Sequence, residues 1–141
     1  MTPGGEPLLL DTCAAIWIDN GDPIATAAVG ALDAADRARA RTFISPMTAW
    51  EMGLLVAKGR ISLPVRPEIW FSQLLMMGGI TLAELSPDVL ILSSFLPARA
   101  PTDPVDRIIA ATARQYGYVV MTRDRALLDY ADQGHIQAIA C

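Results

Sequence analysis

The sequence predicts an α/β domain: a mostly parallel central sheet with helices on both faces, three layers deep (α/β/α). Three observations carry this expectation. Short apolar runs of strand length alternate with longer stretches of helical period, the pattern of parallel strands joined by helical crossovers. The runs are continuously apolar, as in "LLL" at 8–10 and "YVVM" at 118–121, which suits strands buried on both faces. The chain has 141 residues, of which 52% are hydrophobic and 18% charged, enough for one sizeable core and too apolar for a disordered segment. A single domain over residues 1–141 follows.

Taken in order, "PLLLD" is a strand that runs at once into "TCAAIWID", a helix, and "PIATAAVGALDAADRARAR" is Ala-rich and helical. "TFIS" is a second strand. "PMTAWEMGLLVAKGR" has proline near its start, where the missing N–H costs nothing, and Gly59 beyond its end, as a helix should. "PEIWFSQLLMMGG" reads as a helix stopped by Gly78 and Gly79, "ITLAEL" as a strand and "PDVLILSSFL" as a helix. Then come "DPVDRIIAATARQYG", a helix closed by Gly117, the strand "YVVMT", the helix "DRALLDYA" and a last strand "IQAIA". No internal repeat, linker or low-complexity block interrupts the series.

Several classes of function are disfavoured at this level. The apolar runs fall far short of the roughly 18 residues of a membrane span, and no leader-like pattern opens the chain, so a cytoplasmic protein without membrane association is expected. Cys13 and Cys141 form neither a disulfide framework nor a CxxC pair and are expected to be reduced thiols. A formal net charge of -4 argues against nucleic acid on its face. Its weight is reduced because, of the 11 basic residues, only Lys58 is lysine, and arginine is the side chain best shaped to grip phosphate.

The acids stand in informative places. Asp11 follows "LLL" directly and Asp124 follows "YVVMT" by one residue, so both lie at the carboxyl ends of expected parallel strands, the edge where open α/β sheets bind ligands. Glu51 sits in an apolar helical stripe with Met47, Leu54 and Leu55, an expensive place for a carboxylate without a partner. In "TDPVDR", Asp103 reads as the helix N-cap, Pro104 as the first helical residue and Asp106 as the third. The Asp106 charge suits the helix dipole, and its side chain can also reach across the sheet edge toward Asp11 and Glu51. Carboxylates crowded there repel one another, and a divalent cation resolves the conflict. Oxygen ligands without paired His or Cys favour Mg²⁺ or Mn²⁺, ions that typically serve phosphate chemistry.

"LLLDT", the glutamate of "SPMTAWEMGLL", "DPVDRIIAATA" and "VVMTRD" come in an order and spacing that resembles the PIN-domain ribonucleases, most closely the VapC-type toxins of toxin–antitoxin pairs. The resemblance runs from Leu8 to Ile139. It departs at Val105, where the family more often has Phe, a difference that touches packing rather than chemistry. It implies a PIN-like fold in which Asp11, Glu51, Asp106 and Asp124 are the catalytic, metal-binding acids, with supporting hydroxyls from Thr12 and Thr122. It also implies a Mg²⁺- or Mn²⁺-dependent endoribonuclease that hydrolyses RNA with activated water, a VapB-like antitoxin as partner, and a homodimer. A rival reading is a catalytically silent PIN-like module that binds RNA or protein. A receiver-type phospho-acceptor domain is disfavoured, because that family needs a late lysine and Lys58 lies in the first half.

The remaining polar and aromatic residues are expected to be structural. Trp17, Trp50 and Trp70 suit the core or a partner interface, and Met76 and Met77 beside Leu74 and Leu75 suit packing or an apolar patch. His135 has no second ligand nearby in sequence, and Arg107 and Arg114 are expected to be solvated. Arg123 and Arg125 flank Asp124 and are either solvated charges or RNA-binding phosphate contacts at the rim of the acidic site.

Overall fold

The structure is a computed structural model that describes residues 6–21, 23–76 and 80–141. Strands β1 (Leu8–Leu10), β2 (Thr42–Ile44), β3 (Ile80–Leu82), β4 (Val119–Thr122) and β5 (Gln137–Ala140) form one sheet in the order β3-β2-β1-β4-β5. Every pairing is parallel, so the expected mostly parallel sheet is wholly parallel among the described residues. The helices are α1 (Thr12–Asn20), α2 (Thr26–Arg37), α3 (Pro46–Ala57), α4 (Pro67–Met76), α5 (Pro87–Leu92), α6 (Pro104–Tyr116) and α7 (Arg125–Asp132).

Period-2 alternation along the strands divides the core. Leu8, Leu10, Ile44, Val119 and Met121 face one side, where they meet Ala14 and Ala15 of α1, Ala28, Ala31 and Ala35 of α2, Met52 of α3 and Trp70 and Leu74 of α4. Leu9 and Val120 face the other, against Val105 and Ile109 of α6 and Leu127 and Tyr130 of α7. Behind α6, Val89 of α5 packs on Ile108 and Ala111. The small residues of α1 and α2 let those helices approach the sheet closely, while α4 fills its share with one large aromatic.

Strand order places a switch point between β1 and β4. The chain leaves β1 for α1 on one face and leaves β4 for α7 on the other, so a crevice opens between the carboxyl ends of these two central strands. Asp11 and Asp124 lie on that edge.

Element boundaries differ from the sequence expectation in three places. The helix expected over residues 23–41 is confined to Thr26–Arg37, with Arg39 at φ 57 ending the helical path. The expected helix "PDVLILSSFL" stops at Leu92, because the Ser93 hydroxyl turns back to donate to the Leu90 carbonyl at 2.6 Å. "ITLAEL" pairs only over Ile80–Leu82. The stop at Gly78 and Gly79, and the side chain of Met77, lie outside the described residues. Gly59 and Gly117 take positive φ past the ends of α3 and α6, as their sequence positions require.

Several side-chain expectations are corrected. On α4 Trp70 and Leu74 are core: both are buried and Trp70 donates its indole N–H to Asp19 Oδ2 at 2.8 Å, while Ile69 and Met76 remain exposed. The larger apolar exposure is on α5 and the turn after it, at Ile91 and Phe95. Of the two places expected for it, core or partner interface, Trp50 does not take the core and is exposed. Arg107 is not simply solvated, since it donates to the carbonyls of Ser93 (2.8 Å) and Pro101 (2.9 Å) and braces the segment that delivers Asp103 to the sheet edge. Arg114 likewise donates to the His135 carbonyl at 2.6 Å, and the His135 ring tilts against Tyr130, which gives that histidine the structural place expected of it.

The 93–103 segment is pinned a second time by the Tyr130 hydroxyl, which donates to the Pro97 carbonyl at 2.8 Å from an otherwise buried ring. Tyr130→Phe should therefore lower stability by about 0.5–1.5 kcal/mol in urea unfolding, the usual net value of one such bond. No change in the midpoint would show that the bond does not hold the segment.

Candidate active site

A cleft of about 330 Å³ opens at the carboxyl edge of β1 and β4, lined by Asp11, Thr12, Cys13, Glu51, Asp103, Val105, Asp106, Ile109 and Asp124. The four acids expected from sequence thus line one cleft, together with a fifth, Asp103. Asp11 and Asp124 arrive by a local rule. Parallel strands that run straight into helices leave an N-cap residue at the sheet edge, and carboxylates are favoured at N-caps.

Asp11 caps α1 by accepting from the Ala14 N–H at 2.8 Å, and its other oxygen accepts from the Thr122 hydroxyl. Asp124 caps α7, accepting from the Leu127 N–H at 3.0 Å, while its own N–H donates to Thr122 Oγ1 at 2.9 Å. Asp103 caps α6 through the Asp106 N–H at 3.0 Å, as the sequence predicts. Glu51, on α3, accepts from the Thr12 hydroxyl. Asp106 differs from these, because no protein donor reaches its carboxylate among the described residues. Thr12 and Thr122 each donate to an acid of the cleft.

The electrostatics follow from this inventory. Burial pushes the Asp106 carboxyl up to about 7, with Asp124, Asp103, Glu51 and Asp11 adding repulsion. Burial also raises Asp11, opposed by its bonds from Thr122 and Ala14, and raises Glu51, opposed by the Thr12 bond. The Cys13 thiol beside them is pushed up to about 11, first by burial and then by Asp11 and Glu51, so it stays a protonated thiol. Cys141 is also a free thiol, as expected.

As the side chains stand, no three of these groups form a finished ion-binding set among the described residues. Asp11, Glu51 and Asp124 are turned onto helix N–H groups and threonine hydroxyls. The donor set nevertheless suits a hard cation: it is carboxylate oxygen throughout, in an open cleft with room for water, and Mg²⁺ ordinarily keeps several waters while using few carboxylates. The unmet charge at Asp106 is what such an ion would neutralise.

At the rim, Arg123 has another job. Its guanidinium donates to the carbonyls of Cys141 (2.7 Å) and Pro23 (3.2 Å) and lies 3.8 Å from the Trp17 ring centroid, tying α1, the segment before α2 and the residue after β5 together. That leaves little of it for a phosphate. Arg125 is highly exposed and makes only a long 3.9 Å ion pair with Asp129. Sequence reasoning missed Thr48, whose buried hydroxyl lies 3.1 Å from that of Thr12; its position one helical turn before Glu51 was the available signal.

The PIN domain family model matches residues 8–133. Ribonuclease VapC22 of Mycobacterium tuberculosis is 30% identical over 122 residues, covering 85% of this chain and 88% of the relative. Among solved structures, VapBC2 from Rickettsia felis, bound to a DNA fragment from its promoter, matches with a TM-score of 0.66 at 14% identity. That match covers 95% of this chain and 98% of the other. FitAcB from Neisseria gonorrhoeae matches with a TM-score of 0.54 at 20% identity, covering 94% and 96%. These two likenesses speak for the fold.

Two outcomes are expected of the metal-free protein. The unfolded chain releases the Asp106 proton near 3.8 and the folded chain near 7, so between those values the unfolded state binds fewer protons. The stability associated with protonated Asp106 is thus complete below the lower value, declines across the window and is absent above it; Asp11 and Glu51 act in the same direction. In EDTA the melting temperature should be higher at pH 5 than at pH 8, and Asp106→Asn should shrink that difference and raise the pH 8 value. Asp103→Ala, by contrast, should cost about 0.5–2 kcal/mol, as loss of an N-cap does. If both variants melted alike, the distinction between cap and cleft acid would be wrong.

Proposed function

The chain belongs to the PIN-domain family, among its VapC-type proteins, and from that premise we propose that it is a divalent-metal-dependent endoribonuclease, the toxin of a toxin–antitoxin pair. The observation that carries this reading is the Asp106 carboxyl, half-buried among four other carboxylates with no protein donor among the described residues, and pushed up to about 7. A fold gains nothing from such an arrangement unless a cation completes it, and perturbed acids in a cleft mark function more often than structure.

Asp11, Glu51, Asp106 and Asp124 would hold Mg²⁺ or Mn²⁺. When bound, that ion supplies an activated water and neutralises the charge that develops on a phosphodiester. The chain's own residues set the frame. Thr122 and the Ala14 N–H fix both oxygens of Asp11, Thr12 fixes one oxygen of Glu51, and the Leu127 N–H fixes Asp124. These bonds restrict how far the acids can swing, so less of their orientation is left to be fixed when an ion is held. Val105 and Ile109 give the cleft an apolar wall that lowers the local dielectric. Arg125, exposed at the first residue of α7, is placed to meet a neighbouring phosphate. Water-driven cleavage leaves 5′-phosphate and 3′-hydroxyl ends and makes no use of the 2′-OH. The choice of RNA therefore rests on the relative whose name is ribonuclease, not on the acids.

One solved structure of this fold bears the name VapBC2, and an antitoxin of VapB type is the proposed partner. An arginine on that partner has a cleft of five carboxylates to enter, where bidentate bonds can stand in for the cation. A homodimer is proposed as well, with the exposed Ile91 and Phe95 among the apolar side chains available to cover. No helix among the described residues is long and apolar enough to cross a membrane, and the proposed site of action is the cytoplasm.

The purified chain with Mn²⁺ should cleave RNA and stop on addition of EDTA. Asp11→Asn and Asp106→Asn should each lower the rate by about 10²-fold or more while the metal-free protein stays folded. Full cleavage by either variant removes the site assignment. A parent protein that neither binds Mn²⁺ nor cuts RNA would instead be a silent binding module. Co-expression with the antitoxin encoded beside it should restore growth, and the purified complex should cleave only after that partner is stripped away.

A further inference from the structure

Two of the cleft acids are held by threonine hydroxyls, and a hydroxyl has one proton. Thr122 donates its proton to Asp11 and in turn accepts the Asp124 backbone N–H at 2.9 Å. Thr12 donates its proton to Glu51 Oε1, which as a carboxylate oxygen can only accept. Thr12 therefore has no second proton to give, so the 3.1 Å contact between Thr12 Oγ1 and Thr48 Oγ1 must run with Thr48 donating. Thr48 is fully buried, and Thr12 is the only hydroxyl partner it has among the described residues. An unmade bond there would leave a buried donor unsatisfied, which is costly.

We propose that Thr48 is a positioning residue for the nuclease site: its buried hydroxyl donates to Thr12 and so aims the single Thr12 proton at Glu51. The Thr48 side chain does for Thr12 what the Asp124 backbone N–H does for Thr122. The chain Thr48 to Thr12 to Glu51 is polarised in one direction, which strengthens each bond and stiffens the carboxylate. It also engages Oε1, leaving Oε2 as the Glu51 oxygen without a protein donor among the described residues. Thr48 and Glu51 lie one turn apart on α3, so the helix itself sets the reach of the relay. The inference rests on the reading of Glu51 as a metal-holding acid.

The test is Mn²⁺ affinity of the full chain by calorimetry, with the kcat and KM of RNA cleavage measured alongside. Thr48→Val keeps the volume and removes the donor. It should raise the Kd for Mn²⁺ about tenfold, near the lower end of what loss of an outer-shell partner costs, and lower kcat with KM for RNA unchanged. Thr48→Ser keeps the donor without the methyl group and should bind Mn²⁺ as the parent does, an expectation that holds even if the valine variant folds poorly. The Thr12→Val, Thr48→Val double variant should be no worse than Thr12→Val alone, because both break one chain. Parent-like Mn²⁺ affinity in Thr48→Val, a defect in Thr48→Ser as large as in Thr48→Val, or additive losses in the double variant would each overturn the relay. Glu51→Gln tells the two readings apart: if it leaves Mn²⁺ affinity intact, the metal assignment of Glu51 falls and the relay with it.

Discussion

The constraint on which the rest of the structure depends is the cost of gathering five carboxylates at one sheet edge. Charges that close repel one another, and partial burial adds a desolvation penalty to each. The fold answers with helix N-termini. Asp11, Asp103 and Asp124 each accept a backbone N–H from the first turn of α1, α6 and α7, so three of the acids are also the caps that start three helices. Structure and site are the same bonds, and the helices could not be recapped by neutral residues without changing the electrostatics of the cleft.

Asp106 is where this compensation runs out. As the third residue of α6 it suits the helix dipole, yet its carboxylate receives no donor among the described residues and takes repulsion from every other acid in the cleft. On the proposed reading such a site would be under electrostatic stress without a cation and relieved by one. A hard divalent ion or a guanidinium would serve, which connects the proposed catalysis and the proposed inhibition to one feature of the chain.

The threonines supply the directional part. N–H groups at helix starts fix where a carboxylate sits, whereas a hydroxyl with one proton and its own donor fixes which oxygen is occupied. Both halves of the cleft use this device, with a backbone donor behind Thr122 and a side-chain donor behind Thr12. Arg123 and Arg107 work at longer range. Arg123 ties Pro23 and Cys141 to the turn after β4 that carries Asp124, and Arg107 ties α6 to the segment that leads to Asp103, so an arginine that sequence left as solvated or a phosphate contact and another it left as solvated are both braces near the site.

By itself the sequence determined the layered α/β architecture, the order of elements, and the acids Asp11, Glu51, Asp106 and Asp124 as one group. The architecture and the places of Asp11 and Asp124 follow from period and position: continuous apolar runs mark strands buried on both faces, and an acid just after such a run lies at the carboxyl edge whatever the packing; the four acids as one set came with the resemblance of the motifs. Asp103 as a cap was legible for the same local reason. What only the tertiary structure decided depends on partners distant in sequence. Whether Trp70 is core and Trp50 exposed is set by which helix face meets the sheet. Whether Arg123 is free depends on Pro23, Trp17 and Cys141 arriving beside it. Thr48 gains its meaning only when Thr12 is brought within 3.1 Å across the fold, because a hydrogen bond depends on geometry between chain segments that no local spacing encodes.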